Sequence, residues 1–355
     1  MIARPSPQRI LFFLLVCFCA LPLLAAPAAE AAIPTEPAWR LDGDRAAPPI
    51  HFRRDEPLRI AGGGQPSKTA LVHLHEQLGL PDDTPLWVID MRQESHGYLN
   101  EDAVSWHGVA NAANRGMSAA AIEQDERQRL ADAVGANVQA VPMGHYDEAH
   151  IPYTFAKAVT GFATERHIAR KSGLGYVRIA ATDMRWPEPR AIDDFVNFYR
   201  SLPKEHGWLY FHCQAGQGRT TTFMVLYELL ENPSATADEA IAHQRALGGA
   251  DLSSGERYEG ICRFAQYVRE NRATDFAQSW SDWLSAQQSA VSGDSAACCL
   301  RALRFARRSL KKRFMMPAHS SCRTPAVISG RWLSARQPGM LKTDSQAPAL
   351  ASVLP

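Results

Sequence analysis

Residues 208–221 read WLYFHCQAGQGRTT. The apolar start of this stretch predicts a buried strand, and the residues from Arg219 onward predict a helix. Between the two lies a loop in which five residues separate Cys213 from Arg219. Gly216 and Gly218 permit backbone angles that a β-carbon would obstruct. A strand, a glycine-rich loop and a helix in this order indicate an α/β fold with a ligand site at the loop.

The chemistry that this loop suits is phosphoryl transfer through a cysteine. Its backbone N–H groups can surround a phosphate, and the dipole of the following helix points at the same place. A helix N-terminus and nearby cations lower a thiol pKa below its usual value of about 8.5, so Cys213 is predicted to be a thiolate. Arg219 offers a planar fork to two phosphate oxygens, and Thr220 can donate a hydrogen bond to the sulfur. His212 is expected to hydrogen-bond the loop backbone and to help keep Cys213 ionised.

The loop also has two other interpretations. A lone cysteine in a tight strand-to-helix turn is usually a buried structural residue. A nucleotide-binding loop would end in GK[ST], which this stretch lacks. Because cysteine, two glycines, arginine and threonine all stand where a phosphate cradle needs them, we favour the cradle. The residues predicted to surround the phosphate are Gln214, Ala215, Gly216, Gln217 and Gly218.

Strands and helices alternate along the rest of the chain. Apolar runs predict strands at 86–91 and 176–179, and apolar side chains at i, i+3, i+4 and i+7 predict a helix around 192–199. Further helices are predicted at 67–78, 117–135, 153–171, 238–246 and 257–271. This alternation predicts a mostly parallel sheet flanked by helices, with its ligands at the carboxyl ends of the strands.

The loop after the strand at 176–179 carries a candidate general acid. It reads ATDMRWP at 181–187, and Asp183 could protonate the oxygen that leaves phosphorus. A positioned general acid contributes about 10² to 10⁴ in rate. Trp186 and Pro187 suit a loop that closes as a unit. The alternative is that Asp183 only caps the turn before a helix.

The strand at 86–91 also ends in charged residues, with DMRQESHG at 90–97. Arg92 and His96 are candidates for binding substrate phosphates away from the reaction centre, and Asp90 or Glu94 for orienting those cations. The alternative is a surface loop whose charges satisfy one another. Further candidate phosphate ligands, each with weaker support, are Lys68, Arg59, Arg185 and Arg257.

The two ends of the chain differ from its middle. Residues 1–31 combine early arginines, a short apolar run and A-x-A motifs, which predict a cleaved signal peptide and a periplasmic or secreted protein without a membrane-spanning helix. Residues 32–56 are expected to be a loose lead-in to a phosphatase domain at 57–290. Residues 291–355 hold eleven Lys or Arg against two Asp, which predicts a disordered basic tail or a basic amphipathic helix.

Cysteine usage and charge narrow the function classes. The five cysteines that follow the predicted signal peptide are not clustered, and no CxxC pair is present, so neither a disulfide framework nor a zinc site is predicted. The formal net charge is only +1, and no nucleic-acid partner is expected. No cofactor is expected, and the oligomeric state is left open.

Three motifs resemble those of the protein-tyrosine-phosphatase-like inositol polyphosphatases, also called PTP-like phytases or cysteine phytases. They are HCQAGQGRTT at 212–221, DMRQESHGYLN at 90–100 and TDMRWP at 182–187. The resemblance covers roughly residues 50–275. It implies Cys213 as nucleophile, Arg219 as phosphate clamp, Asp183 as general acid and Arg92 as a substrate phosphate ligand. It also implies a tyrosine-phosphatase-like α/β fold, often with a small partial β-barrel, and no metal.

One position departs from the family pattern. Many members have histidine after the catalytic aspartate, where this chain has Met184. That leaves one substrate contact open, with Arg185 as a candidate replacement.

The expected function is metal-independent hydrolysis of phosphate monoesters of myo-inositol polyphosphates such as phytate, through a phosphocysteine intermediate. The same loop would serve a secreted protein-tyrosine phosphatase, which is the first alternative. A phosphate- or phosphoinositide-binding module without catalysis is the second. Intact Cys213, Asp183 and Arg219 count against the second alternative.

Overall fold

The computed structural model describes residues 30–32, 38–42, 48–142, 150–152, 154–155 and 158–289 of the 355-residue chain. Most of the predicted signal peptide and the whole predicted tail at 291–355 lie outside the described residues, so both stay predictions. Among the described helices, none combines the length and the apolar character that crossing a lipid bilayer requires.

Three β-sheets and their flanking helices make up the described residues: one of five strands, one of six, and a two-stranded antiparallel sheet formed by Glu30–Ala32 and His150–Pro152. The strands are β1 (Glu30–Ala32), β2 (Ala38–Leu41), β3 (Arg53–Asp55), β4 (Ile60–Gly63), β5 (Leu86–Arg92), β6 (His96–Leu99), β7 (Asp102–His107), β8 (Gln139–Val141), β9 (His150–Pro152), β10 (Thr154–Phe155), β11 (Phe162–Ala163), β12 (Gly175–Ala181) and β13 (Trp208–His212). The helices are α1 (Lys68–Val72), α2 (Leu74–Gln77), α3 (Ala119–Asp132), α4 (Glu165–Lys171), α5 (Pro189–Ser201), α6 (Gly218–Glu231), α7 (Ala237–Ala246), α8 (Gly255–Asn271) and α9 (280–289).

The first sheet has five strands in the order β12-β5-β13-β4-β3. All neighbours in it are parallel except β3, which runs antiparallel to β4 at the edge. The predicted mostly parallel sheet is therefore confirmed. Strand β13 lies at its centre, so the loop after β13 opens at the middle of the sheet's carboxyl edge, where parallel α/β sheets bind ligands.

The second sheet has six strands in the order β10-β8-β2-β7-β6-β11 and is mostly antiparallel. Among the described strands, the two end strands β10 and β11 do not pair with each other, so this sheet is open and no closed barrel forms. Strand β6 begins four residues after β5 ends. The carboxyl edge of the first sheet thus leads directly into the second.

Alternation along β13 divides the core between the two faces of the first sheet. Leu209 and Phe211 face a core that includes α5, α6 and α8, while Trp208 and Tyr210 face a second core that includes α1 and α4. Successive strand side chains point to opposite faces, and a parallel sheet covered on both faces needs apolar residues on each. Helix α6 is buried nearly all round because α7 and α8 cover it.

Several sequence predictions differ from the structure. The predicted helix at 153–171 is confirmed only for α4, because β10 and β11 occupy part of the earlier residues. The predicted helix at 67–78 is two short helices that break at His73. The segment expected to be a loose lead-in supplies β2 to the six-stranded sheet and β3 to the five-stranded sheet. Those strands pair with partners far along the chain, which a short window of sequence does not reveal.

Candidate active site

The loop from Cys213 to Gln217 joins β13 to α6 at the carboxyl edge of the first sheet. Gly216 has a φ of 73°, and a β-carbon there would overlap the backbone of Gly63 and Gly64. Glycine is required at this position for both reasons. A β-carbon at Gly218 would overlap the guanidinium of Arg257, which therefore lies against the start of α6.

Three consecutive loop carbonyls are bound by groups outside the loop. The backbone N–H of Gln65 donates to Gln214 O at 3.0 Å, a ring nitrogen of His51 lies 2.7 Å from Ala215 O, and Arg53 Nη1 donates to Gly216 O at 2.8 Å. In a trans peptide the carbonyl and the next N–H point in opposite directions. The N–H groups at 215–217 are therefore turned away from these partners, as a phosphate cradle requires.

Cys213 is 3 % exposed and accepts a hydrogen bond of 3.2 Å from Thr220 Oγ1. Burial alone raises the pKa of its thiol. The charge of Arg219 and the hydrogen bonds from Thr220 outweigh burial, so the pKa lies below its usual value. The geometry thus favours the thiolate, which is the nucleophilic form of cysteine.

Glu94 fixes the guanidinium of Arg219. Arg219 Nη1 and Nη2 donate to the two Glu94 carboxylate oxygens at 2.8 and 3.0 Å, and both side chains are buried. Burial opposes the charged form of each residue, but their attraction raises the pKa of Arg219 and lowers that of Glu94 far from their ordinary values. The arginine is therefore permanently charged and has a single orientation beside Cys213.

Asp183 lies next to the same guanidinium. Its Oδ2 accepts from Arg219 Nη2 at 3.0 Å and from Asn111 Nδ2 at 2.9 Å, and its Oδ1 accepts from the N–H of Met184 at 2.8 Å. Burial raises the pKa of this carboxyl, whereas Arg219 and the two other donors lower it, with a net decrease. Asp183 is therefore a carboxylate in this conformation and occupies one arm of the arginine fork.

The loop that carries Asp183 is held closed against α8 and α9. Trp186 packs on Gly260, where a β-carbon would overlap the indole, and its ring lies edge-on to Trp280 at 6.3 Å between centroids. Arg257 Nε donates to Arg185 O at 3.1 Å. Met184 has a φ of 60° and is 75 % exposed, so its side chain points to solvent at the rim of the site.

Arg92 does not lie where a substrate could reach it. The side chain is completely buried: Nε donates to Glu94 Oε1 at 2.7 Å, and Nη1 donates to Asp42 Oδ2 at 2.6 Å and to Gln65 Oε1 at 2.9 Å. The structure thus contradicts the expectation of a substrate phosphate ligand. Arg92 instead neutralises the far side of Glu94, which itself orients both arginines.

His96 is buried too, with Nε2 2.8 Å from Glu165 Oε2. Asp90 accepts from Arg178 Nε at 2.6 Å and from Tyr176 OH at 2.7 Å, and its Oδ2 also lies 3.5 Å from His96 Nε2. It therefore orients Arg178 most closely and contacts one of the two predicted cations. The expectation that His96 binds a substrate phosphate is therefore wrong for this conformation. The charged side chains of residues 90–97 point into the protein because oppositely charged residues from distant parts of the chain lie there as partners.

His212 pairs with a carboxylate instead of the loop backbone, contrary to expectation. Its Nε2 lies 3.0 Å from Glu165 Oε1, and both side chains are fully buried. Burial lowers the pKa of the imidazole, but Glu165 raises it by more than burial lowers it. The net increase favours the protonated form of His212. A positive charge next to Cys213 in the chain supports the thiolate by electrostatics.

The remaining candidate cations divide by position. Arg185 is exposed on the Asp183 loop. Arg257 contacts that loop, and its buried Nη2 has no hydrogen-bond partner within the described part of the chain. Lys68 is paired with Glu101 at 2.7 Å. Arg59 precedes β4 and so lies at the opposite edge of the sheet from the loop, which excludes it from the site.

Sequence reasoning missed several residues of this site. They are His51, Arg53, Gln65, Asn111 and Glu165. His51, Arg53 and Gln65 lie about 150 residues or more before the loop that they support, and Asn111 lies 72 residues before Asp183. No local spacing pattern could have identified them. A buried carboxylate such as Glu165 at the start of a helix also looks like an ordinary first-turn residue.

The chain is similar to several known proteins. The model of a protein family described as PTP-like phytase, inositol hexakisphosphate, matches residues 89–231. Among solved structures, the tandemly repeated PTP-like phytase of Mitsuokella multacida is 32 % identical, with a TM-score of 0.66 over 71 % of this chain and 50 % of that one. A PTP-like phytase of Bdellovibrio bacteriovorus is 28 % identical, with a TM-score of 0.60 over 72 % of this chain and 97 % of that one.

Two further similarities concern a ligand and a curated relative. The Mitsuokella multacida PTP-like myo-inositol phosphatase was solved in complex with myo-inositol-(1,3,4,5)-tetrakisphosphate, at 32 % identity and a TM-score of 0.65 over 71 % of this chain and 50 % of that one. The effector protein hopD2 of Pseudomonas syringae pathovar tomato is 27 % identical over 221 residues, which is 56 % of this chain and 46 % of the effector. The present chain therefore spans about half the length of the effector and of the Mitsuokella proteins.

Removing the hydroxyl of Thr220 should raise the pKa of Cys213. Thr220→Val keeps the shape of the side chain but deletes the 3.2 Å hydrogen bond that favours the thiolate. We expect the pH of half-maximal alkylation by iodoacetamide to rise by about one unit, since a hydrogen bond to a charged group is worth about 1.5 kcal/mol. Thr222→Val is the matched control, because Thr222 donates to Gly218 O and does not touch the sulfur. An unchanged alkylation profile in Thr220→Val would refute this role.

Filling the space at Gly260 should release the Asp183 loop. Gly260→Ala places a methyl group where the ring of Trp186 now packs. We expect kcat for an inositol phosphate to fall about tenfold or more, because a general acid must stay in position to act. Gln266→Ala, at an exposed position of the same helix, is the control. A Gly260→Ala enzyme with wild-type kcat would show that this packing does not position the acid.

Proposed function

Because the chain belongs to the family of PTP-like phytases, we propose that it hydrolyses phosphate monoesters of inositol polyphosphates through a phosphocysteine intermediate. One observation carries the proposal: Cys213 sits beneath a loop whose N–H groups and Arg219 can bind a phosphate, with Asp183 alongside. A loop that only bound phosphate would need neither a thiolate nor an adjacent carboxylate. Catalysis therefore accounts for the site better than binding alone.

The first step transfers the phosphoryl group to sulfur. Cys213 Sγ attacks phosphorus, an S–P bond forms, and the bond to the inositol oxygen breaks while Asp183 gives that oxygen a proton. In the second step water attacks phosphorus, the S–P bond breaks, and the Asp183 carboxylate accepts the proton that water loses. The loop N–H groups and Arg219 stabilise the charge on the transferring group, which is the main source of catalysis in phosphoryl transfer.

Asp183 has to change its protonation state before it can act as the acid. In this conformation its carboxylate is paired with Arg219. A substrate phosphate that binds the arginine fork would take over that pairing and bring its own negative charge close to Asp183. Loss of the cation and gain of an anion both raise a carboxyl pKa. The acid would thus form only when substrate is bound, and substrate binding and proton supply are coupled.

The substrate class follows from the cations that remain for further phosphates. Arg257 has a buried Nη2 beside the Asp183 loop that no described residue hydrogen-bonds, and Arg185 is exposed on the loop itself. A ring that carries several phosphates can reach these arginines while one phosphate occupies the cradle. The related Mitsuokella protein in complex with an inositol tetrakisphosphate supports the same class. A phosphotyrosyl peptide offers a single phosphate and would leave these cations unused.

Replacing the nucleophile tests the mechanism, and comparing substrates tests the specificity. Cys213→Ser should abolish phosphate release from phytate while the circular dichroism spectrum stays that of the wild type, because a serine hydroxyl is not ionised here. The wild-type protein in reducing buffer should release phosphate from phytate faster than from a phosphotyrosyl peptide. Substantial turnover by Cys213→Ser would exclude the phosphocysteine. Faster release from the phosphotyrosyl peptide would be compatible with the proposed mechanism but would contradict the proposed substrate class.

Replacing the acid Asp183 should slow the reaction to a degree that depends on the leaving group of the substrate. Asp183→Asn should slow phosphate release from inositol phosphates by about 10² or more, because an alkoxide leaves poorly without a proton. Formation of the phosphocysteine from an aryl phosphate should be much less affected, since a phenolate leaves unaided. Equal slowing for both substrate types would assign Asp183 a structural role and place the acid elsewhere.

A further inference from the structure

A second cluster of ionisable side chains lies at the opposite edge of the sheet from Cys213. Asp55, Glu228 and His243 each offer one ligand atom, and these atoms all lie within 4.8 Å of one another. Asp55 pairs in register with Ile60, at the amino end of β4, whereas the catalytic loop follows the carboxyl end of β13. Glu228 is nine residues beyond Arg219 on α6, about 14 Å along the helix axis. The cluster is therefore separate from the site described above.

The charges of this cluster are not balanced by a lysine or arginine. The side chains of Asp55 and Glu228 are 0 % and 10 % exposed, and no Lys or Arg in the described part of the chain forms an ion pair with either. His243 Nδ1 lies 2.9 Å from Glu228 Oε1 and its Nε2 lies 3.7 Å from Asp55 Oδ2. Two buried carboxylates and one imidazole leave a net negative charge, and buried charges normally have a cation as partner.

Gln244 provides an independent indication of a ligand. This residue is 0 % exposed, and its Nε2 donates to Asp55 Oδ2 at 3.0 Å and to Glu228 Oε2 at 2.9 Å. Its Oε1 is buried and has no hydrogen-bond partner among the described residues. The amide O and N are interchangeable in shape, so the network decides which atom faces the carboxylates. With a cation between them, the amide would turn its oxygen inward as a ligand, and the unsatisfied acceptor would be used.

We propose that Asp55, Glu228, His243 and Gln244 bind one divalent transition-metal ion. The ligands would be two carboxylate oxygens, one amide oxygen and one imidazole nitrogen. An oxygen-rich set with a single imidazole suits Mn²⁺, with Zn²⁺ as the next candidate. The side chain of His243 is 40 % exposed, which gives the ion an entry path and leaves room for water ligands. The ion would join β3, α6 and α7, so its role is to stabilise the fold.

The other cluster of this kind, Asp90, Glu165 and His212, does not support the same inference. Arg178 Nε already donates to Asp90 Oδ2 at 2.6 Å, and His96 Nε2 lies 2.8 Å from Glu165 Oε2. Those two side chains occupy the space that a metal ion would need. Arg178 belongs to this cluster, whereas the described residues supply no Lys or Arg partner to the cluster of Asp55, Glu228 and His243, and this difference distinguishes the two.

Titration of the metal-stripped full-length protein with Mn²⁺ tests the proposal. Mn²⁺ is chosen because it prefers oxygen and imidazole ligands to thiolates, so Cys213 should not compete. We expect one bound ion by calorimetry and a higher midpoint of thermal unfolding when Mn²⁺ is present, because a ligand that binds only the folded state stabilises it. His243→Ala should weaken binding at least tenfold and abolish the thermal shift.

His167→Ala is the matched control, since it removes an exposed histidine of α4 that lies outside the cluster. Binding in Asp55→Asn reports on a second ligand without relying on the helix that carries His243. The proposal is overturned if Mn²⁺ does not bind the wild-type protein, or if His243→Ala and Asp55→Asn bind it as tightly as His167→Ala. Phosphatase activity in the presence of EDTA should stay unchanged, because no residue of the cluster contacts the catalytic loop.

Discussion

Glu94 and Arg219 face each other through a pair of buried hydrogen bonds of 2.8 and 3.0 Å, and the geometry of the candidate active site depends on this pair. Removing one partner of a buried ion pair typically costs about 3–5 kcal/mol, because the other charge remains without compensation. The pair does not by itself make the fold more stable than an apolar pair would. The pair contributes by holding the Arg219 guanidinium in one position. The plane of the guanidinium is fixed, with one nitrogen directed at Asp183, and its charge lowers the pKa of Cys213.

The pair is in turn supported from the second sheet. Arg92 lies between Glu94 and Asp42, and Asp42 directly follows β2 of the six-stranded sheet. Burial raises the pKa of Asp42, but the charges of Arg92 and Arg40 lower it by more than burial raises it. The pKa therefore lies below its ordinary value, and the carboxylate stays charged. Positive and negative groups, all of them buried, therefore alternate from Asp42 to Arg219. Strand β2 and the carboxyl edge of the first sheet are thus linked by charge as well as by the chain.

Structural features that depend on a few consecutive residues could be predicted from the sequence. Features that depend on contacts between distant residues could not. The strand, loop and helix around Cys213 follow from a few consecutive residues, because glycine spacing and apolar periodicity act over short distances. The charged run 90–97 looked like a surface that binds phosphate. It is buried, because Asp42, Arg178 and Glu165 come from other elements to neutralise it. Strands β2 and β3 escaped prediction for the same reason, since their pairing partners lie elsewhere in the chain.

The central claim is that Cys213 carries the phosphoryl group during turnover. The most direct test is the mass of the acid-quenched Asp183→Asn protein after brief mixing with an aryl phosphate. This substrate needs no acid for the first step, and the variant lacks the base for the second, so the intermediate should accumulate. We expect the added mass of one phosphoryl group, located on the peptide that contains Cys213. A protein without the adduct during continuing turnover, or an adduct on another residue, would contradict it.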